Sequence, residues 1–117
     1  MKPNQLEERL IQFAIDVILL CKKVDKSFAS EHLVKQLIRS AALNYGEARS
    51  GESTRDFLHK MKFCLKELRE SLINMRIQKG AKLITDVDFL DILIKENDEL
   101  ISIFVASIKT ASLKLKI

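Results

Sequence analysis

The sequence predicts an all-α fold, an antiparallel up-down-up-down four-helix bundle, and three observations carry that prediction. Apolar residues recur at alternating steps of three and four along most of the chain, the spacing that puts them on one face of a helix. The 117 residues include only one proline and three glycines, too few for the frequent turns of a sandwich or barrel. Residues that start or stop helices stand at the ends of four such segments, and the turns between them are short, as between antiparallel neighbours. The length fits a single domain over 1–117, enough for a core without metal or disulfide support.

The first helix is predicted over 4–24. Asn4 and Glu7 have capping-box spacing, and Leu6, Leu10, Phe13, Val17, Leu20 and Val24 form the stripe. Asp25 to Ser30 makes a turn. The second helix, 31–49, carries Val34, Leu37, Ile38, Ala41, Tyr45 and Ala48 on one face. Ser50-Gly51-Glu52 breaks it, and Ser53 to Asp56 recaps the chain. The third helix, 54–79, has a heptad seam of Leu58, Met61, Leu65, Leu68, Leu72 and Met75, and Gly80 is the expected C′ residue. Thr85 to Asp88 caps the fourth, 86–113. Its seam is Val87, Leu90, Ile94, Asn97, Ile101, Phe104, Ile108 and Ala111.

Each helix is more apolar than a bundle seam needs. Ile11, Ile15, Ile18 and Leu19 are surplus on the first, Phe57, Phe63, Ile73 and Ile77 on the third, and Ile92, Ile103 and Val105 on the fourth. About three positions in seven suffice for an isolated bundle. The surplus points to a second buried face and hence to a homo-oligomer, against the alternative of a sticky monomer.

Chemistry is sparse. Cys21 and Cys64 stand alone, without CxxC spacing, and read as small apolar residues in a reducing compartment. A di-iron bundle needs two Glu-x-x-His motifs with further inward glutamates. Asp56-Phe-Leu-His59 is the nearest approach, and His32 directly follows Glu31, so no metal or other cofactor is expected. No phosphate-binding glycine loop, zinc-protease motif or nucleophile elbow occurs, and no enzyme activity is expected. Charges interrupt the apolar positions of the first helix, so neither a signal peptide nor a membrane span is read there, and the expected location is cytoplasmic.

Charge is unevenly distributed. Residues 55–82 carry eight basic and three acidic side chains, whereas 85–108 carry one lysine and six acids. Counting outward from the turn at 80–85 pairs Arg76 with Asp91 and Arg69 with Asp98, so part of the basic stripe is absorbed between helices. Lys62 and Arg55 face Val105 and Ser112 by the same count and stay unpaired. The bundle end to which they belong collects Lys2, Arg49, Arg55, Lys60, Lys62, Lys109, Lys114 and Lys116. These are the candidate contacts to nucleic acid, RNA or DNA. No base-reading motif accompanies them, so binding would track the phosphate backbone. The alternatives are a solvated basic end and an oligomer that serves only structure or docks another protein.

One stretch departs from simple amphipathicity. In "RSAALNYGEARSGES", Ser40, Asn44 and Glu47 line one flank of the core face at single-turn spacing, while Ala42 and Gly46 lie opposite with Arg39. A helical glycine costs about 1 kcal/mol relative to alanine, and close approach by another backbone accounts for one here. The flank reads as a polar ladder bonding to a neighbouring helix, with a small-residue face toward a second subunit; a ligand-binding cluster is the alternative reading. Asn97 is a buried amide that sets register, and Glu67 and Glu70 read as partners of neighbouring helices or subunits.

The segment "IRSAALNYGEARSGESTRDFLHKMKFCLKELRESL" resembles the signature of the four-helix-bundle proteins known as 23S ribosomal RNA intervening-sequence proteins. That pattern resembles R-S-x-x-S-x-x-x-N-x-x-E-A, a short turn, then S-x-x-D/E-F-x-x-K-L/M-x-x-x-x-K-E-x-x-E. Arg39 and Ser40, then Asn44, Glu47 and Ala48, match its first half as two blocks set three residues closer together, and Ser53, Asp56, Phe57, Lys60, Lys66, Glu67 and Glu70 match its second half. The serine expected between Ser40 and Asn44 is replaced by Ala42 or Leu43. The resemblance covers about a third of the chain. It implies an antiparallel four-helix bundle, commonly a ring-shaped homopentamer. It also implies similarity to accessory proteins of diversity-generating retroelements, which bind nucleic acid and a reverse transcriptase.

Overall fold

The computed structural model describes residues 2–22, 31, 32, 35, 45, 48 and 53–115. Among them are three long helices, α1 (Pro3–Lys22), α2 (Thr54–Gly80) and α3 (Val87–Leu115), and no strand. The helix expected over 31–49 falls mostly outside the described residues; Glu31, His32, Lys35, Tyr45 and Ala48 are helical.

Each helix starts where local chemistry satisfies its free N–H groups. Pro3 opens α1, since a residue with no N–H removes one of the unsatisfied donors of the first turn. The Gln5 side chain reaches back to the Lys2 N–H at 3.0 Å, and the Lys2 carbonyl accepts from Gln5 and Leu6. The cap is therefore at Lys2, not at Asn4, which lies inside the helix. Ser53 caps α2 as expected, its Oγ accepting from the Asp56 N–H at 3.1 Å. Asp86 caps α3 by accepting from the Phe89 N–H at 3.2 Å, and its charge suits the positive end of the helix dipole.

The end of α2 corrects the sequence reading. Gly80 has a negative φ and belongs to the helix, while Lys82 takes the left-handed conformation at φ 57°. Lys82 N–H donates to the Lys79 carbonyl and Leu83 N–H to that of Gln78, the paired bonds of a Schellman motif with Lys82 at C′.

The helix α3 organises the rest. At 29 residues it is about 43 Å long, most of the molecule's 50 Å extent. The helix α2 packs back along it through the turn at 81–86, α1 packs against α3 as well, and α1 and α2 do not approach each other. One continuous core joins Leu10, Phe13 and Val17 of α1, Met61, Leu68 and Met75 of α2, and Leu90, Leu100 and Phe104 of α3. Tyr45 lies edge-on to Phe104, ring centroids 5.7 Å apart, so the described part of segment 31–49 also reaches that core.

The buried stripe of α2 differs from the heptad reading. Leu58, Met61, Leu68 and Met75 are buried, but Leu65 and Leu72 are only half-buried, and Cys64, Glu67, Ser71 and Gln78 take the remaining inside places. The inside places of α2 still recur every seven residues, Met61, Leu68 and Met75 with Cys64, Ser71 and Gln78, but they lie one residue to the side of the Leu65–Leu72 column, which brings polar side chains inward. On α3, Leu90, Asn97, Phe104 and Ala111 are buried at seven-residue spacing as expected, Leu93 and Leu100 join them, and Val87 is exposed at the first helical position.

Candidate interaction surfaces

Two features could engage a partner: a basic end and a set of outward apolar faces. Because α2 and α3 form a hairpin, the first turns of α2 lie beside the last turns of α3. Arg55 and Lys62 on α2 and Lys109 and Lys114 on α3 are thereby brought to one end, all four exposed. None of the four makes an ion pair among the described residues. Lys60 shares that end but is partly neutralised by Asp56, one turn away at 3.2 Å. Lys114 also lies in the last turn of α3, where a cation offsets the helix dipole, so part of its placement is explained without a ligand. Lys2 is exposed just ahead of α1. Arg49 and Lys116 lie outside the described residues.

The pairings expected along the hairpin are different in the structure. Asp91 is held by Lys79 at 2.6 Å rather than by Arg76, and Arg69 and Asp98 are not joined. A side chain leaves its helix tilted toward that helix's N-terminus, so on α2 it leans away from the turn. Lys79 therefore reaches back to the level of Asp91. Arg69 and Arg76 are left on the outside with Lys66, and all three are exposed.

A pairing that sequence reasoning missed ties α1 to α3. The Arg9 guanidinium grips Glu96 with two bonds, Nε to Oε2 at 2.7 Å and Nη2 to Oε1 at 2.5 Å, and approaches Glu99 at 3.5 Å. The bond to Glu96 raises the guanidinium's pKa despite its partial desolvation. Bidentate pairing of this kind is directional, so it aligns the two helices as well as attracting them. Residues 9 and 96 are 87 apart in sequence, and helical periodicity carries no information about such a contact.

The core holds a polar patch. Asn97 Nδ2 donates to the Leu68 carbonyl across the α2–α3 contact at 2.9 Å, the register-setting place expected of it. Ser71 Oγ donates to the Glu67 carbonyl at 2.8 Å, and Gln78 Nε2 donates to Asn74 Oδ1. Glu67 is only 6% exposed, and its Oε2 and the Asn97 Oδ1 have no hydrogen-bond partner among the described residues. Glu70 lies outside on the exposed side of α2. The other residues of the motif, Arg39, Ser40, Ala42, Asn44, Gly46 and Glu47, lie outside the described residues.

No chemistry-bearing cluster appears among the described residues. Cys64 is buried and desolvation pushes its thiol up to about 12, the behaviour of an unreactive core thiol; Cys21 is half-buried. Among the described residues, no group of three or more His, Cys, Asp and Glu side chains could hold a metal ion. None of the described helices is long and apolar enough to cross a membrane.

Among solved structures, the fold is similar to that of a protein of unknown function from the S23 ribosomal protein family of Bacteroides thetaiotaomicron. The TM-score is 0.81 at 22% sequence identity, over 93% of this chain and 99% of that one. At that identity the likeness is one of fold. No family model matches the chain, and no curated protein does.

Proposed function

We infer that this chain is a non-enzymatic, oligomeric nucleic-acid-binding or scaffold protein, contacting phosphates without sequence preference through its basic end. The observation that carries the reading is the gathering of Arg55, Lys62, Lys109 and Lys114 at one end of the α2–α3 hairpin, exposed and without ion pairs among the described residues. Four such cations on a rigid hairpin suit a phosphate backbone, and an oligomer that repeats them would bind multivalently. The reading places the chain among intervening-sequence-type four-helix bundles of up-down-up-down topology, acting in the cytoplasm. The helical state of residues 31, 32, 35, 45 and 48 and the Tyr45–Phe104 contact support a fourth helix. The ribosomal name of the structural neighbour's family agrees in kind with RNA as a partner. A pentamer rests on the sequence resemblance alone.

The second reading is an oligomer or adaptor with no nucleic acid. It is favoured by the outward apolar side chains Ile73, Ile77 and Ile92, which are 55%, 61% and 66% exposed. Fluorescence polarisation with generic RNA and duplex DNA over rising salt separates the two. Engagement of four phosphates gives a log–log slope of about −3 to −4 on DNA, about 100-fold weakening between 50 and 200 mM salt. Reversing Arg55, Lys62, Lys109 and Lys114 to glutamate abolishes it. No binding at low salt, or binding indifferent to the reversal, would refute the nucleic-acid reading.

A further inference from the structure

The outward faces of α2 and of the α1–α3 pair match each other in pattern. Along α2, Lys66, Arg69 and Ile73 occupy positions i, i+3 and i+7 of one exposed stripe, with Arg76 and Ile77 continuing it. None of the three cations makes an ion pair among the described residues. Between them, α1 and α3 enclose a groove of about 470 Å³ floored by Phe13 and Leu93. Ile92, Glu96 and Glu99 stand along its α3 lip at i, i+4 and i+7. Asp16 stands on the α1 lip. Arg9 pairs with Glu96 and, at 3.5 Å, with Glu99, whose side chain nonetheless remains 57% exposed, and Lys95 is the other cation lining the groove.

We propose that the α2 stripe of one copy docks antiparallel along the α3 lip of this groove in a second copy, with Ile73 against Ile92. The spacing then places Arg69 opposite Glu96, about 6 Å along both helices, and Lys66 opposite Glu99, about 10 Å along. Both the apolar anchor and the charges come into register from one alignment. The partner is another copy of this chain because the unpaired cations and the acidic lip belong to it in matching order. The two faces are different surfaces of one molecule, so the contact is head-to-tail and propagates into a closed ring or an open filament. The proposal rests on the oligomeric reading above and gives it a defined interface.

Sedimentation velocity on the full chain and four variants tests it: Lys66→Glu, Glu99→Lys, the Lys66→Glu/Glu99→Lys double, and Ile92→Glu. All these positions are exposed, and circular dichroism checks that each variant is folded. Each single change is expected to raise the dissociation constant at least about tenfold, and the double to return it to within about threefold of the parent. An equimolar mixture of the two charge-reversed singles should also assemble, since each supplies the face that the other lacks. If the parent assembles and the singles assemble equally well, or the double fails to recover, the interface is wrong and the oligomeric reading stands. If the parent is a monomer throughout the micromolar range, the oligomeric reading fails and the interface with it.

Discussion

Exchanging the residue types at the end of α2 should stabilise the protein. Lys82 holds φ 57° at the C′ position, a conformation that costs a residue with a β-carbon about 1 to 2 kcal/mol. Gly80, two residues earlier, is helical, and a Cβ added there would meet nothing within 4 Å. Replacing Lys82 by glycine removes the left-handed strain but loosens the unfolded chain, which returns roughly 0.5 to 1 kcal/mol, so the net gain is about 0.5 to 1. Replacing Gly80 by alanine contributes a further 0.5 to 1 kcal/mol or so through the opposite effect on the unfolded chain. The Lys82 side chain is exposed, so little packing is lost. Urea unfolding followed at 222 nm should show the midpoint rising in each single variant at unchanged slope. The double variant should exceed either single, though two positions within one cap need not contribute additively. The opposite pair, Gly80 kept and Lys82→Val, should fall below the parent, since β-branching worsens the strain. Loss of stability in both Lys82→Gly and Gly80→Ala would show that the chain turns at Gly80 and would refute the cap described here.

Other features are equally open to measurement. Asn97→Leu should be neutral or stabilising by up to about 2 kcal/mol, since it trades one hydrogen bond for relief of the orphaned Oδ1; Asn97→Asp should cost about 3 kcal/mol or more by setting a buried carboxylate against the Leu68 carbonyl. Chemical denaturation of the two variants reads both signs. A double-mutant cycle on Arg9→Met and Glu96→Gln should give a coupling of about 1 kcal/mol that persists at 0.5 M salt, because both side chains are about three-quarters buried, at 28% and 24% exposure. The Cys64 thiol is raised by burial to about 12 from 9.0, so the folded state keeps its proton while the unfolded chain loses it. Its contribution is therefore constant below pH 9 and is lost between about 9 and about 12, and comparing the pH dependence of unfolding in the parent with that in Cys64→Ala isolates it. At pH 8, alkylation of Cys64 should run about 1000-fold slower in the native protein than in urea.

The sequence was informative where structure is local and less so where it is not. Ser53 and Asp86 could be recognised as caps because an N-cap needs only a short acceptor side chain ahead of an apolar period. Leu6, Leu10, Phe13, Val17 and Leu20 were legible as the buried face of α1, since apolar side chains at alternating steps of four and three share one side of a helix. On α2 the seam lies one residue to the side of the column of leucines that the heptad selects, and Ser71 and Gln78 entered the core ahead of Leu65 and Leu72. Gly80 misled because composition identifies the residue suited to a left-handed turn but not the position at which the backbone turns. For the candidate site, charge order along α2 and α3 indicated the basic end, as the hairpin follows from one short turn. The Arg9–Glu96 contact depends on how α1 lies against α3, and no sequence spacing encodes that.

The polar patch in the core bears on what the molecule is built to do. Glu67, Ser71 and Gln78 lie along one edge of the buried stripe of α2, and Asn97 meets that stripe from α3. A buried acceptor left without a donor costs about 1 to 3 kcal/mol, and Glu67 Oε2 and Asn97 Oδ1 have no partner among the described residues. An all-apolar layer at this level would be more stable, so stability is not its rationale. What a polar layer supplies is selectivity, because a slip of one turn would leave Asn97 without the Leu68 carbonyl. Such selectivity matters most for a bundle whose surfaces must repeat accurately. The outward stripe of Lys66, Arg69 and Ile73 keeps a fixed relation to Ile92, Glu96 and Glu99 only while α2 and α3 hold one register. The internal amide and the external charge pattern thus depend on the same alignment. A chain with α2 shifted by one turn would misplace about 5 Å of its docking stripe, and its assembly would fail before its fold did.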